Sequence, residues 1–179
     1  GIIGMTTKEE DFVEMVVSAD SHSNLMMFTQ KGKVFTKKAY LIPEASRTAK
    51  GTNIANILEI DKDDKITAMI DMESFDMGGF LTMVTRNGII KRTPVEEYAY
   101  QRKGGKKAIN LDEGDELVFV AHTTGENEIV VATRNGFAVR FEEEKARSVG
   151  RTSRGVIAIR LTDGDAVAGA AIVDDSKKL

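Results

Sequence analysis

An apolar run, a turn ending in glycine and a second apolar or basic run recur three times in this chain, and no other feature restricts its fold as much. The copies are Met26–Phe35, Leu81–Arg92 and Ile129–Phe141, with turn glycines at Gly32, Gly88 and Gly136, 56 and 48 residues apart. Lys-Gly or Asn-Gly between β-branched runs is a hairpin signal, because glycine and asparagine accept the positive φ of a two-residue type I′ turn.

Two further landmarks keep the same order. A basic loop containing glycine follows each hairpin and leads into an alternating apolar segment: Arg47–Gly51 into Asn53–Leu58, Gln101–Lys107 into Ala108–Leu111, and Arg151–Gly155 into Val156–Leu161. An acidic turn and a strand then open the next unit, at Asp11–Val17, Asp64–Ile70, Asp115–Val120 and Asp165–Val173. Four strands in each period of roughly 50 residues match a propeller-type blade. The predicted fold is all-β: four-stranded antiparallel blades in one repeat domain over 1–179, with repeats at about 11–61, 64–112 and 115–162 and the start of a fourth at 163–175. Short helices are expected near Pro43–Ser46 and Pro94–Tyr98. A β-sandwich with coincidental turns is the alternative that the ordered recurrence disfavours.

The net charge of −3 argues at first against a polyanion partner, but its distribution reverses the argument. Residues 30–51 hold six bases (Lys31, Lys33, Lys37, Lys38, Arg47, Lys50) against one acid. Residues 86–107 hold seven (Arg86, Lys91, Arg92, Arg102, Lys103, Lys106, Lys107) against two. Residues 134–160 hold seven (Arg134, Arg140, Lys145, Arg147, Arg151, Arg154, Arg160) against three. These stretches carry +14 and the rest of the chain −17. In a repeat array, equivalent positions fall on equivalent faces. All of these bases except Lys145 and Arg160 are therefore candidate DNA-binding residues, which would neutralise backbone phosphates along one stripe. The ordinary reading of any one cluster is solvated charge beside a turn; recurrence in phase favours the stripe. No recognition helix or base-stacking motif is visible, and Phe28, Phe35, Phe119, Phe137 and Phe141 fall in strand runs where packing accounts for them.

Other chemistry is poorly provided for. There is no cysteine, and His22 and His122 are the two histidines, one per strand connection. Asp61–Asp64 lacks the spacing of a calcium loop, because Lys65 and Ile66 stand where a ligand and a glycine are needed. There is no Walker loop. No catalytic or metal-binding residue is expected. No apolar run approaches the roughly 20 residues of a membrane helix, and a cytoplasmic protein is expected.

The order of an Arg-Asn-Gly hairpin, a basic glycine loop, an alternating strand and Gly-Asp-Glu-Leu-Val, with Glu9–Val17, Leu41–Gly51 and Arg151–Leu161 in sequence, resembles the repeats of the C-terminal domain of the DNA gyrase A protein and its topoisomerase IV counterpart. The resemblance covers essentially the whole chain. It implies a β-pinwheel that wraps duplex DNA, without base specificity, around a basic rim close to the nucleoid. It also implies that the cleavage tyrosine, the ATP site and magnesium belong to other parts of a type IIA topoisomerase, with the N-terminal cleavage region and the gyrase B protein as partners; no cofactor is expected in this segment. Gln101–Lys107 resembles the family's Gln-Arg-Arg-Gly-Gly-Lys-Gly box but departs from it at Lys103 and Lys107, and is read as the corresponding loop of a later blade. Gly1 is read as the end of a truncated box. A protein-binding propeller is the alternative function, and it lacks the Trp-Asp marks of that class.

Overall fold

The computed structural model describes residues 23–42, 58–100 and 104–173, together with the backbone of two paired strands, β1 (Met5–Thr7) and β2 (Val13–Met15). Eleven more strands follow: β3 (Asn24–Thr29), β4 (Lys33–Lys38), β5 (Ile66–Met72), β6 (Phe80–Thr85), β7 (Ile89–Pro94), β8 (Lys106–Lys107), β9 (Leu117–Thr123), β10 (Glu128–Thr133), β11 (Ala138–Glu142), β12 (Val156–Ile157) and β13 (Val167–Val173). The only helical pieces among the described residues are 3-10 turns at Ala39–Leu41, Val95–Tyr98 and Glu143–Lys145. The second agrees with expectation; the segment Pro43–Ser46 lies outside the described residues.

The strands form sheets in the orders β5-β3-β4-β8, β9-β6-β7-β12 and β13-β10-β11. The β3–β4, β6–β7 and β10–β11 hairpins lie at the three glycine turns. Each hairpin takes its next neighbour from the opening strand of the following sequence unit: β5 pairs with β3, β9 with β6 and β13 with β10. The far edges of the first two hairpins are closed by two-residue strands: β8, at the end of one basic loop, on β4, and β12, just after the next, on β7. The sequence period and the sheet are therefore out of phase, and every sheet is sewn from two consecutive units.

The hairpin turns differ from the two-residue form expected. Three residues connect Thr29 to Lys33 and Thr85 to Ile89, and the glycine N–H donates back to the threonine carbonyl at 3.0 and 3.1 Å. Gly32, Gly88 and Gly136 have φ of +87°, +88° and +88°, the left-handed region that only glycine enters without strain. A bulge lies just before each turn, at Phe28/Thr29, Val84/Thr85 and Ala132/Thr133.

The acidic turns have a structural task. Asp64, Asp115 and Asp165 each accept the backbone N–H of a hairpin turn, from Lys31 (3.0 Å), Asn87 (2.9 Å) and Asn135 (3.0 Å). The same Oδ1 atoms accept the next N–H of their own chain. One carboxylate thereby satisfies two backbone donors that would otherwise lose their partners on folding.

Packing follows from the position of each sheet. All six residues of β3 are buried. Met26 and Phe28 enter one core with Leu81, Met83, Tyr98 and Ile109, while Leu25 and Met27 enter a second with Phe35, Ile42 and Leu58. The β10 pattern instead alternates buried and half-buried, as a strand with one covered face does. A third core, Val84, Ile90, Ile129, Val131, Ala146 and Val167, joins the second sheet to the third. Phe137 departs from expectation: it is 58% exposed at its turn, whereas Phe28 and Phe35 are buried.

Candidate nucleic-acid interface

The basic stretches are positioned by the turns and by the edge strands, and the two settings treat their charges differently. At the first hairpin turn, Lys31 pairs with Asp63, and Lys33 Nζ lies 3.6 Å from Asp61. The Asp63 carboxylate holds the Lys31 ammonium above its usual range, and the lysine hydrogen bond holds Asp63 below its own. Here the acidic turn of the next unit faces the basic turn directly. Lys37 is half-buried and Lys38 exposed at the other end of β4. Arg86 is half-buried, and Arg134 and Arg147 are exposed. Arg140 is exposed and paired with Glu128 across β10 and β11. Arg47, Lys50, Arg102 and Lys103 lie outside the described residues.

Two candidates are not surface groups. Lys91 is 1% exposed and Arg92 7% exposed. Arg92 donates from Nε to the Ala146 carbonyl at 2.6 Å and from Nη1 to Glu143 at 3.0 Å, with its guanidinium carbon 4.3 Å from the centre of the Phe80 ring. Glu143 is fully buried and also accepts from Thr123 Oγ1 (2.9 Å) and the Asn127 N–H (3.0 Å). A buried ion pair persists only when its remaining lone pairs and protons are satisfied, and this one is. Arg92 therefore ties the second unit to the third rather than presenting charge to a ligand.

Lys91 donates to the Ala108 carbonyl at 2.6 Å and to the Arg151 carbonyl. Tyr98 Oη donates to the same Ala108 carbonyl at 3.0 Å. Burial pushes the Lys91 ammonium down to about 7, opposed by nearby Glu97 and assisted by Arg151. Burial likewise raises the Tyr98 phenol.

The repeat register explains both. Lys91 occupies the position, three residues past the turn glycine, that holds Phe35 and Val139 in the other units. Glu143 occupies the position, seven past the glycine, that holds Ala39 and Val95, both buried. A count of charge by stretch misses this. The signal was available: a charged residue at a repeat position that is apolar elsewhere points inward.

The structure does bring one group of basic residues together, where two successive basic loops meet. Gly105, Lys106 and Lys107 form one wall, and Arg151 and Thr152 the other, of an open cleft of about 230 Å³. Gly105, with φ +82°, lies against the Phe35 ring, so a Cβ there would stand 2.9 Å from it. The Lys106 ammonium lies 5.3 Å from the centre of the Tyr100 ring, which is 70% exposed. The Arg151 guanidinium donates to the Lys107 carbonyl, and the Arg151 N–H donates to Glu97 at 3.1 Å. Beside the cleft, Arg154 grips Asp112 through two hydrogen bonds of 2.6 and 2.7 Å, which hold the Asp112 carboxyl below its usual range. Cationic side chains and backbone around an open concavity suit one anionic, tetrahedral group.

The two edge strands differ in charge. Val156 and Ile157, 39% and 51% exposed, stand in β12 where β8 has Lys106 and Lys107. Among the described residues no group of three or more metal-ligating side chains gathers, and no helix is long and apolar enough to cross a membrane.

This three-part geometry coincides with a known family pattern. The family described as "DNA gyrase C-terminal domain, beta-propeller" matches residues 23–70, 80–124 and 127–174, each span running from a hairpin to the strand that joins its sheet from the next unit. The chain belongs to the DNA gyrase C-terminal domain family. The DNA gyrase A protein of Clostridium acetobutylicum is 49% identical over 156 residues, covering 87% of this chain and 19% of that protein. The Escherichia coli K12 gyrase A protein is 40% identical over 160 residues, or 89% and 18%. The C-terminal domain of a DNA topoisomerase IV superposes with a TM-score of 0.80 at 32% identity, over 94% of this chain and 53% of that one. A DNA gyrase A C-terminal domain shares the fold at a TM-score of 0.70 and 20% identity. The chain thus spans about one fifth of the length of the gyrase A proteins it matches, and about half of the solved domains.

Proposed function

We propose that this family member binds duplex DNA through the phosphate backbone, without reading base sequence, and wraps it for a type IIA topoisomerase. The observation that carries the reading is the cleft between successive basic loops, set in a chain whose basic stretches hold +14 and whose remainder holds −17. Each phosphate held by lysine or arginine releases condensed counterions, so affinity should fall steeply with salt. Bending duplex across successive loops would give the wrap a fixed hand, which biases strand passage in the enzyme this chain would serve. That enzyme would cleave DNA, bind the gyrase B protein and use ATP and magnesium through regions other than this one, and would act at the nucleoid. Nicked-circle ligation with the isolated chain across a salt series tests the proposal. The expected result is a change in linking number of one sign at low salt, lost on raising salt. Salt-independent binding, or binding with no change in linking number, would refute backbone wrapping.

A further inference from the structure

Lys91 is buried and lines no part of the cleft, yet its ammonium is bonded to the backbone of both loops that form it. Its ammonium donates to Ala108, directly after Lys107 of one wall, and to Arg151 of the other. The position is specific to this unit, because Phe35 and Val139 stand there in the others. The backbone is closed tightly over it: a Cβ at Gly155 would lie 2.4 Å from the Ile90 carbonyl and 3.1 Å from Lys91 Cβ. Packing that tight fixes where the side chain leaves the backbone, and the two carbonyls hold its far end.

We propose that Lys91 is a positioning residue of the cleft, which spaces the two loops and supplies inner positive charge, so that binding of duplex DNA is accompanied by fractional uptake of a proton on its amine. This rests on the backbone-binding reading above. Desolvation makes the bare amine accessible near neutral pH, since burial has brought the group down to about 7. A phosphodiester in the cleft would place a negative charge close to Nζ and favour the ammonium. By linkage, the DNA-bound protein then holds more proton than the free one, and affinity must fall as pH rises. The proton comes from the buffer; the phosphate stays ionised throughout. The groups that face Lys91 are Glu97 from the 3-10 turn and Arg151 from the third unit's loop, with Tyr98 Oη sharing its Ala108 acceptor.

The test is duplex-DNA affinity of the whole chain at fixed ionic strength from pH 6 to 8.5. Wild type should lose about three- to tenfold across the range, within the limit of tenfold per pH unit for one linked proton. Lys91→Phe, the residue of the first unit, and Lys91→Met should both be nearly flat and close to the wild-type high-pH value. A variant with His22 and His122 both changed to glutamine should keep the wild-type slope. Equal slopes in wild type and both Lys91 variants would overturn the proposal while leaving DNA binding intact. A protein that binds no DNA at any pH would instead overturn the backbone-binding reading. An NMR titration of the Lys91 side chain in the free protein stands apart from both. A midpoint near neutrality, tracked by the Ala108 and Arg151 carbonyl shifts, supports the tie, and an ordinary lysine midpoint refutes it even where a variant fails to fold.

Discussion

Removing Glu143 tests whether the buried polar cluster between the second and third units holds them together. Glu143→Ala strips a fully buried carboxylate from Arg92, Thr123 and the Asn127 N–H. The guanidinium keeps the Ala146 carbonyl and the Phe80 ring but loses its counter-charge. Breaking a buried ion pair from one side costs about 3–5 kcal/mol. Within that, a stranded amide such as Asn127 N–H accounts for about 1–3 kcal/mol. Arg92→Thr should cost a similar amount, leaving a carboxylate with two donors and no cation. The combined change to Arg92→Thr and Glu143→Val installs the residues found at Thr36 and Val95 in neighbouring units. It removes both charges together, so the stranded amide dominates and the cost should be about 1–3 kcal/mol, below either single change. Urea unfolding of the wild type, Arg92→Thr, Glu143→Val and the double variant gives the cycle directly, compared at matched m-values, with Glu143→Ala measured beside it. A Glu143→Ala cost within about 1 kcal/mol, or a double variant that costs the sum of the singles, would refute a tightly coupled pair.

Gly88→Ala and Gly136→Ala share the strain of a positive φ, roughly 1–2 kcal/mol. Only at Gly88 would the new Cβ also stand 2.5 Å from the Ile159 carbonyl; at Gly136 it meets nothing. Gly88→Ala should therefore be the more destabilising in thermal melts, and equal losses would show that the next unit's strand is not seated there. Asp115→Ala should cost about 1–3 kcal/mol and speed hydrogen exchange at the Asn87 and Glu116 amides, whose shared acceptor it removes. The Asp63, Asp112 and Asp165 carboxyls are all lowered in the fold, so their stabilisation is complete above their usual range near 3.8 and lost as pH falls below it. Lys91 runs the opposite way: the unfolded chain binds its proton up to about 10.5 and the folded chain only to about 7. Stability should rise with pH between those values, and urea midpoints of Lys91→Met should lack that rise.

The fold was largely legible because its signals are local and repeated. Glycine turns, alternating strands and acidic turns announce themselves within a few residues of one another. The pairing of β5 with β3, and of β8 with β4, was not legible, since the period is the same whichever unit lends the strand. The three-residue turn was misread because Lys-Gly and Asn-Gly look alike in either hairpin form; the threonine hydroxyl that accepts the Lys33, Ile89 and Phe137 N–H groups is what marks the longer one. At the site, charge counting found Lys106, Lys107 and Arg151. It placed Lys91 on the surface because it ignored a repeat position that is apolar elsewhere, and Arg92 because it ignored the same signal at its partner Glu143; it could not foresee that Arg154 would face Asp112.

Strands lent across units give this chain unusual mechanics. In an array joined only by packed side chains, neighbours can slide or peel apart with little backbone disturbance. Here the first unit's hairpin cannot leave the second unit without unzipping from β5 and β8, strands that follow it by tens of residues. Force or torque delivered at one basic loop passes into the preceding sheet along a hydrogen-bonded ladder, in shear rather than by local bending. A surface pulled by a bent, springy duplex would keep its curvature under such load, with the backbone acting as the stitching.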